Sequence, residues 1–323
     1  MINNTLPYKA KQFFFVLIKL SIVVGAFYFI YEKLANNDDL QFSVFVDFLS
    51  KKDVLSSKNI VLLLLLSVFN WFFEILKWKT LVSFIKKTSF KNALEQSLGA
   101  LTASLFTPNR IGEYGAKAIY YSSIFRKRII LINLLSNVMQ MAVTTISGII
   151  GYYFFITTYN VNFDYYKFAR IFIITLIVFF LIGLGIRKSK LTIKGFSLEK
   201  IKQFVLKFPK DKIIFGFVFS LIRYAIFSFQ FYFLLQLFGV KINYLDAMVI
   251  ISSMYLLASI IPSIFIFDVV IRGSVALYLF AFVDVNELTI LSIITFMWLF
   301  NFVIPSVFGS YYVFNFNLPK SED

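Results

Sequence analysis

TPNRIGEYGAKAIYY, residues Thr107 to Tyr121, places a proline, two glycines, an arginine, a glutamate and a lysine inside an otherwise apolar stretch running from about 93 to 125. Proline has no backbone N–H and clashes with the preceding helical turn, so one helix does not run straight through Pro108. Gly112 and Gly115 allow a sharp turn or a close backbone approach. The stretch therefore reads as two half-length helices rather than one span. Thr107 followed by Pro108 has the pattern of an N-cap with proline at the first helical position. Such a helix start offers unpaired N–H groups and a positive dipole end to an anion, and Arg110 would project beside it.

What surrounds this stretch decides its solvent. The 323 residues are 59% hydrophobic, 20% aromatic and only 15% charged, more apolar surface than one globular core can hide. Repeated apolar runs of about 20 residues, the length that crosses about 30 Å of hydrocarbon, identify an integral membrane protein. The formal charge of +15 sits in short connectors, where it orients the chain and meets anionic lipid, so no nucleic-acid partner is expected. Cysteine and histidine are both absent, which removes disulfides, thiolate or imidazole metal ligands and a histidine base. No metal and no cofactor are expected.

Six runs are long enough to cross completely: about 12–31, 60–82, 129–157, 168–186, 213–238 and 287–313. The first is too long for a signal-peptide core and reads as a retained span. A second broken stretch, 243–283, carries Pro262, Asp268, Arg272 and Gly273. Loop charge orients these runs, because Lys and Arg collect on the cytoplasmic side. Lys77, Lys79, Lys86, Lys87 and Lys91 precede the first broken stretch and Arg126, Lys127 and Arg128 follow it. The connector 187–212 holds nine basic residues against Glu199 and Asp211. By contrast, 32–60 has five acidic residues against four lysines, and the connectors around Asp164, Asp246 and Asp284 are not basic. The first break then opens to the cytoplasm and the second to the outside, with both chain ends cytoplasmic.

The expected fold class is thus an all-α polytopic bundle of about six full spans plus two re-entrant broken hairpins in an inverted repeat, forming one transmembrane domain over 1–323. Repeat A covers about 60–157 and repeat B about 213–313. LTASLFTPNRIGEYGAKAIYY and LLASIIPSIFIFDVVIRGSVALYLF support the pairing: each runs through proline to an acid and then a base four residues later, Glu113 with Lys117 and Asp268 with Arg272. Residues 40–52 have apolar positions at i, i+3, i+4 and i+7 and read as an amphipathic helix on the outer interface.

Ionisable groups at bilayer depth cost at least about 2.5–3.5 kcal/mol each and need partners, water or a substrate. Glu113 and Lys117 have ion-pair spacing and could simply neutralise each other with Arg110, whereas a guanidinium suits phosphate oxygens. Asn70, Glu74 and Lys77 share one helical face, as do Asn133, Asn137 and Gln140, and Arg223 and Gln230 lie on a third span. These stripes either line a cavity or bond helix to helix. Lys77 could snorkel to an interface. Trp71, Trp78 and Trp298 read as packing or interfacial aromatics. The candidate substrate-binding set is Arg110, Asn109, Glu113, Lys117, Arg223, Arg272, Asp268, Glu74, Asn70 and Asn137. The candidate helix-break set is Pro108, Gly112, Gly115, Pro262 and Gly273.

Pro108, Arg110, Gly112 and Glu113, with the second break at Pro262, resemble the signature of the lysylphosphatidylglycerol synthase transmembrane region, a group of flippase-like membrane proteins of bacteria and archaea. The remainder of the chain is similar in hydropathy and span order. The resemblance implies movement of a lipid between leaflets of the cell membrane, the inner membrane in a Gram-negative cell. Asn109 and SIFIFDVVIRG depart from the glycines common at these breaks. In the synthases a soluble aminoacyl-transferring domain follows. Here the chain ends at Asp323 soon after the last run, and the longest cytoplasmic connector is about 26 residues, so synthase activity is not expected. The leading expectation is a transporter, not an enzyme, of a lipid or lipid-linked molecule whose anionic headgroup lies between the two broken helices. A membrane-embedded transferase acting on a lipid carrier and a noncatalytic accessory subunit stand as alternatives. No GxxxxGK[ST] loop occurs, so uphill transport would need an ion gradient or another chain. Homo-oligomerisation is left open.

Overall fold

The computed structural model describes residues 56–105, 107, 110–159, 198–260 and 265–317. Among these the chain is helical without strands. The order is α1 (Ser57–Val82), α2 (Phe90–Ser104), α3 (Gly112–Ala118), α4 (Ser123–Thr158), α5 (Leu198–Leu206), α6 (Lys210–Leu237), α7 (Tyr244–Ile260), α8 (Phe265–Phe280), α9 (Glu287–Trp298), a π-helical turn (Leu299–Val303) and α10 (Ile304–Asn315). The runs at 12–31 and 168–186 and the amphipathic segment 40–52 lie outside the described residues.

Among the described residues, four helices are long and apolar enough to cross a membrane: α1, α4, α6 and the continuous Glu287–Asn315. Their outward faces carry exposed Val68, Phe69, Ile149, Phe154, Phe215, Phe308 and Tyr311, which water would not tolerate in such number and hydrocarbon does. This is a helical membrane protein.

Local chemistry sets the helix ends. Ser89 Oγ accepts from the Asn92 N–H at 3.2 Å to cap α2, and Asn286 Oδ1 accepts from the Thr289 N–H to cap α9. Gly239, at φ 77°, closes α6 in the left-handed conformation that glycine alone adopts without a Cβ penalty. The connector read as a polar loop over 187–212 contains α5, a correction that follows from the spacing of Leu198, Ile201, Val205 and Leu206.

Helix packing is tightest where side chains are smallest. Gly148 and Gly151 of α4 meet α7, and a Cβ on Gly151 would lie 2.7 Å from that of Ser252. Gly309 of α10 meets α2 so closely that a Cβ would overlap the Leu98 carbonyl oxygen. At that contact Thr102 Oγ1 donates to the Ser306 carbonyl oxygen at 2.8 Å. Small residues let membrane helices approach backbone to backbone, where dispersion and interhelical hydrogen bonds replace a missing hydrophobic drive. One apolar core gathers residues of α6 to α9 around Phe231, Met254 and Phe280; another gathers α1, α2 and α4 around Trp78, Leu81 and Ile132.

Candidate substrate cavity

Two carboxylates organise the polar interior, and each is held between two cations. On α3, Glu113 Oε1 receives Lys117 Nζ at 2.7 Å and Oε2 receives Arg110 Nη2 at 2.9 Å. The spacing of four residues puts Glu113 and Lys117 on one face of α3, and Arg110 reaches the same carboxylate from the turn before the helix. Lys117 is fully buried, donates also to Asn133 Oδ1 of α4 at 2.9 Å, and lies 4.3 Å from the Trp78 ring centroid. On α1, Glu74 receives Lys77 Nζ at 2.9 Å and the Arg223 guanidinium of α6. Arg223 is fixed further by Gln140 Oε1 at 3.0 Å and by Asn70 Oδ1 at 3.2 Å. Hydrogen bonds to every charge are what make such burial tolerable in a low-dielectric interior.

The π-helical turn supplies a third set of partners. Pro305 has no N–H to offer the Asn301 carbonyl four residues earlier, and Trp71 Nε1 donates to that oxygen at 3.0 Å instead. The Asn301 side chain links three elements: Asn70 Nδ2 donates to its Oδ1 at 3.0 Å, and its Nδ2 donates to Gln230 Oε1 at 2.8 Å.

Beside this network lies a cavity of about 340 Å³ with Arg110, Arg223 and Arg272 in its wall, together with Tyr255, Phe227 and Phe302. The Arg272 guanidinium carbon is 5.9 Å from the Phe302 ring centroid. A smaller compartment of about 140 Å³ shares Trp71, Arg110, Gln140 and Arg223 with the first and reaches Glu74, Lys77, Glu113, Lys117 and Asn137. Three buried polar atoms on side chains of the larger cavity's wall, Arg110 Nε and the Tyr224 and Tyr255 hydroxyls, have no hydrogen-bond partner among the described residues. Arg110 also has φ 56°, a left-handed backbone that costs a residue with a Cβ about 1–2 kcal/mol.

The tertiary structure brings together Asn70, Glu74, Arg110, Glu113, Lys117, Asn137, Arg223 and Arg272 of the sequence set around two adjoining spaces. Asn109, Pro108 and Pro262 lie outside the described residues, as does the side chain of Asp268. Several expectations are corrected. The helix after the break begins at Gly112 with Ile111 as its N-cap, not at Pro108 with Thr107; Thr107 Oγ1 still accepts from the Gly112 N–H at 2.9 Å. Gly112 is a close-approach position, since a Cβ would lie 2.8 Å from the Thr107 methyl. Gly115 and Gly273 break nothing: each sits inside a continuous helix, Gly115 facing open space and Gly273 in ordinary contact with Leu291. Lys77 does not snorkel, because Glu74 holds it at 1% exposure. Trp71 lines the cavity rather than only packing.

Asn301, Gln96, Tyr255 and Phe302 were not singled out by their types. Gln96 Oε1 accepts from both Trp78 Nε1 and the Tyr121 hydroxyl at 2.8 Å, deep in an apolar cluster. A lone asparagine four residues before a proline, NFVIP, is the one sequence signal by which Asn301 could have been found. Comparison with protein-family models, with curated proteins and with solved structures finds no match to this chain.

Proposed function

We propose that the protein is a flippase-like transporter that moves a lipid or lipid-linked molecule between leaflets, with the anionic headgroup in the cavity walled by Arg110, Arg223 and Arg272. The observation that carries this reading is that cavity: three guanidiniums converge on one space of about 340 Å³ among helices whose outer faces are apolar. Arginine inside a membrane protein marks a substrate path by default, and its planar fork matches phosphate oxygens.

The full arrangement is six complete spans and two re-entrant hairpins in inverted repeat. Helix lengths support it. At 1.5 Å per residue, α2 is roughly 22 Å and α3 roughly 10 Å long, and α7 and α8 are roughly 26 and 24 Å, all short of the roughly 30 Å hydrocarbon core. Pairing supports it too: the last helix of repeat A packs on the first half-hairpin of repeat B, α4 on α7, and the last of B packs on the first of A, α10 on α2. Glycine makes the approach in both cases. Rocking of the two repeats would expose the site alternately to the two faces. The motif resemblance at Pro108, Arg110, Gly112 and Glu113 points the same way, to the lysylphosphatidylglycerol synthase transmembrane region and a multi-pass cell-membrane location with both ends cytoplasmic.

Reconstitution tests it. Proteoliposomes bearing headgroup-labelled phospholipids are expected to show leaflet exchange above empty vesicles, lost in Arg110→Ala at equal amounts of folded protein. Exchange unaffected by that substitution overturns the assignment of Arg110. A chemically modified lipid instead of a translocated one would make the protein a transferase, and neither result would make it an accessory subunit.

A further inference from the structure

We infer that the site is built for a phosphate end-group carrying two negative charges, a phosphomonoester or diphosphate, rather than the singly charged phosphodiester of an ordinary phospholipid. The inference rests on the anionic-headgroup reading above and narrows it.

Charge balance is the first ground. Four cations, Lys77, Arg110, Lys117 and Arg223, surround two carboxylates, Glu74 and Glu113, with every one of the six in a contact of 2.9 Å or less. Four minus two leaves two positive charges, and all six groups line one compartment. Isolated charge at low dielectric is costly, so the complementary ligand is the one that cancels it. A phosphodiester, with one charge, leaves a residual cation; a phosphomonoester, with about −1.5 to −2 at pH 7, does not.

Donor geometry is the second ground. The larger cavity adds Arg272, and three of its lining side chains keep a buried donor with no partner among the described residues: Arg110 Nε and the Tyr224 and Tyr255 hydroxyls. Buried polar atoms are nearly always bonded, and these three belong to side chains that line the same cavity. A monoester phosphate offers three terminal oxygens to such a set, whereas a diester offers two.

Size is the third. At about 30 Å³ per water, 340 Å³ holds the equivalent of about eleven waters, room for a phosphate or diphosphate. The aromatic wall of Phe227 and Phe302 continues into a small apolar cleft with Phe231, Ile294 and Met297, suited to the first carbons of a lipid chain.

Calorimetry on the purified full-length protein in dodecyl maltoside tests this with four probes: farnesyl monophosphate, farnesyl diphosphate, a short-chain phosphatidylglycerol, and inorganic phosphate. The farnesyl phosphates are expected to bind at least about tenfold more tightly than phosphatidylglycerol. Farnesyl monophosphate is expected to weaken by about fourfold from pH 7.5 to 5.5, because its second ionisation lies near 6 and only the dianion matches the site, while phosphatidylglycerol stays constant over the same interval. Tyr255→Phe is expected to weaken the monoester a few-fold more than the diester, which a loss of fold would not do. Phosphatidylglycerol binding as tightly as the monoester overturns the inference and leaves the transport reading intact. Inorganic phosphate binding as tightly as farnesyl monophosphate retains the dianion chemistry but overturns the lipid source. No binding by any probe, with lipid exchange still present in proteoliposomes, overturns the inference alone.

Discussion

Arg223, midway along α6, donates to Glu74 of α1 although the two stand 149 positions apart in the chain. This ion pair ties α6 to α1, and Lys77 contacts the same carboxylate oxygen of Glu74. Removing one partner of a buried pair leaves an uncompensated charge, at about 3–5 kcal/mol. Glu74→Gln should therefore lower the melting temperature sharply, as read by fluorescence size exclusion after heating. Adding Lys77→Met should restore part of the loss, because Arg223 keeps Gln140 and Asn70 as partners. A single variant as heat-resistant as the wild type would show that the pair contributes nothing net.

Glycine packing makes a second stability forecast with an internal control. Gly309→Ala and Gly148→Ala place a methyl group against Leu98 and Leu256, an overpacking of about 1–3 kcal/mol or more. Gly115→Ala meets open space inside α3 and should be neutral or stabilise by up to about 1 kcal/mol through helix propensity. Equal melting temperatures for all three would refute the close helix approach.

At Arg110 folding and function separate. Its left-handed backbone favours glycine over alanine by about 1–2 kcal/mol. Arg110→Gly should yield more folded protein than Arg110→Ala, yet both should lose lipid exchange. Arg110→Lys should fold and still transport poorly, because an ammonium cannot reproduce the planar fork. Exchange that tracks folded yield across the three variants would reduce Arg110 to a structural partner of Glu113.

The direction of the hairpins can be read by single-cysteine labelling, since the chain has no native cysteine. Exposed Lys86 and Lys127 flank the first proposed hairpin, and exposed Asn243 and Asn286 flank the second. Probes at 86 and 127 should react from one face of the membrane and probes at 243 and 286 from the other. Opposite-face labelling of 86 and 127 would turn the first hairpin into a full crossing and end the inverted-repeat proposal.

The sequence by itself determined the solvent, the helical class and the ends of the four long described helices to within six residues. These are properties of local composition: an apolar run of sufficient length must satisfy its own backbone in lipid, and only a helix does so within one segment. It also marked Glu113 and Lys117 as neighbours, because a spacing of four residues meets on any helix. Only the tertiary structure decided that Glu74 belongs with Arg223, that Asn301 joins Asn70 to Gln230, and that Tyr255 and Phe302 close the cavity wall. Those partners lie on separate helices, and their meeting depends on how close the helices come and how they are rotated. That approach is set by where glycines such as 148 and 309 fall and by a π-helical turn that re-aims one side chain, which no periodicity along a single segment records.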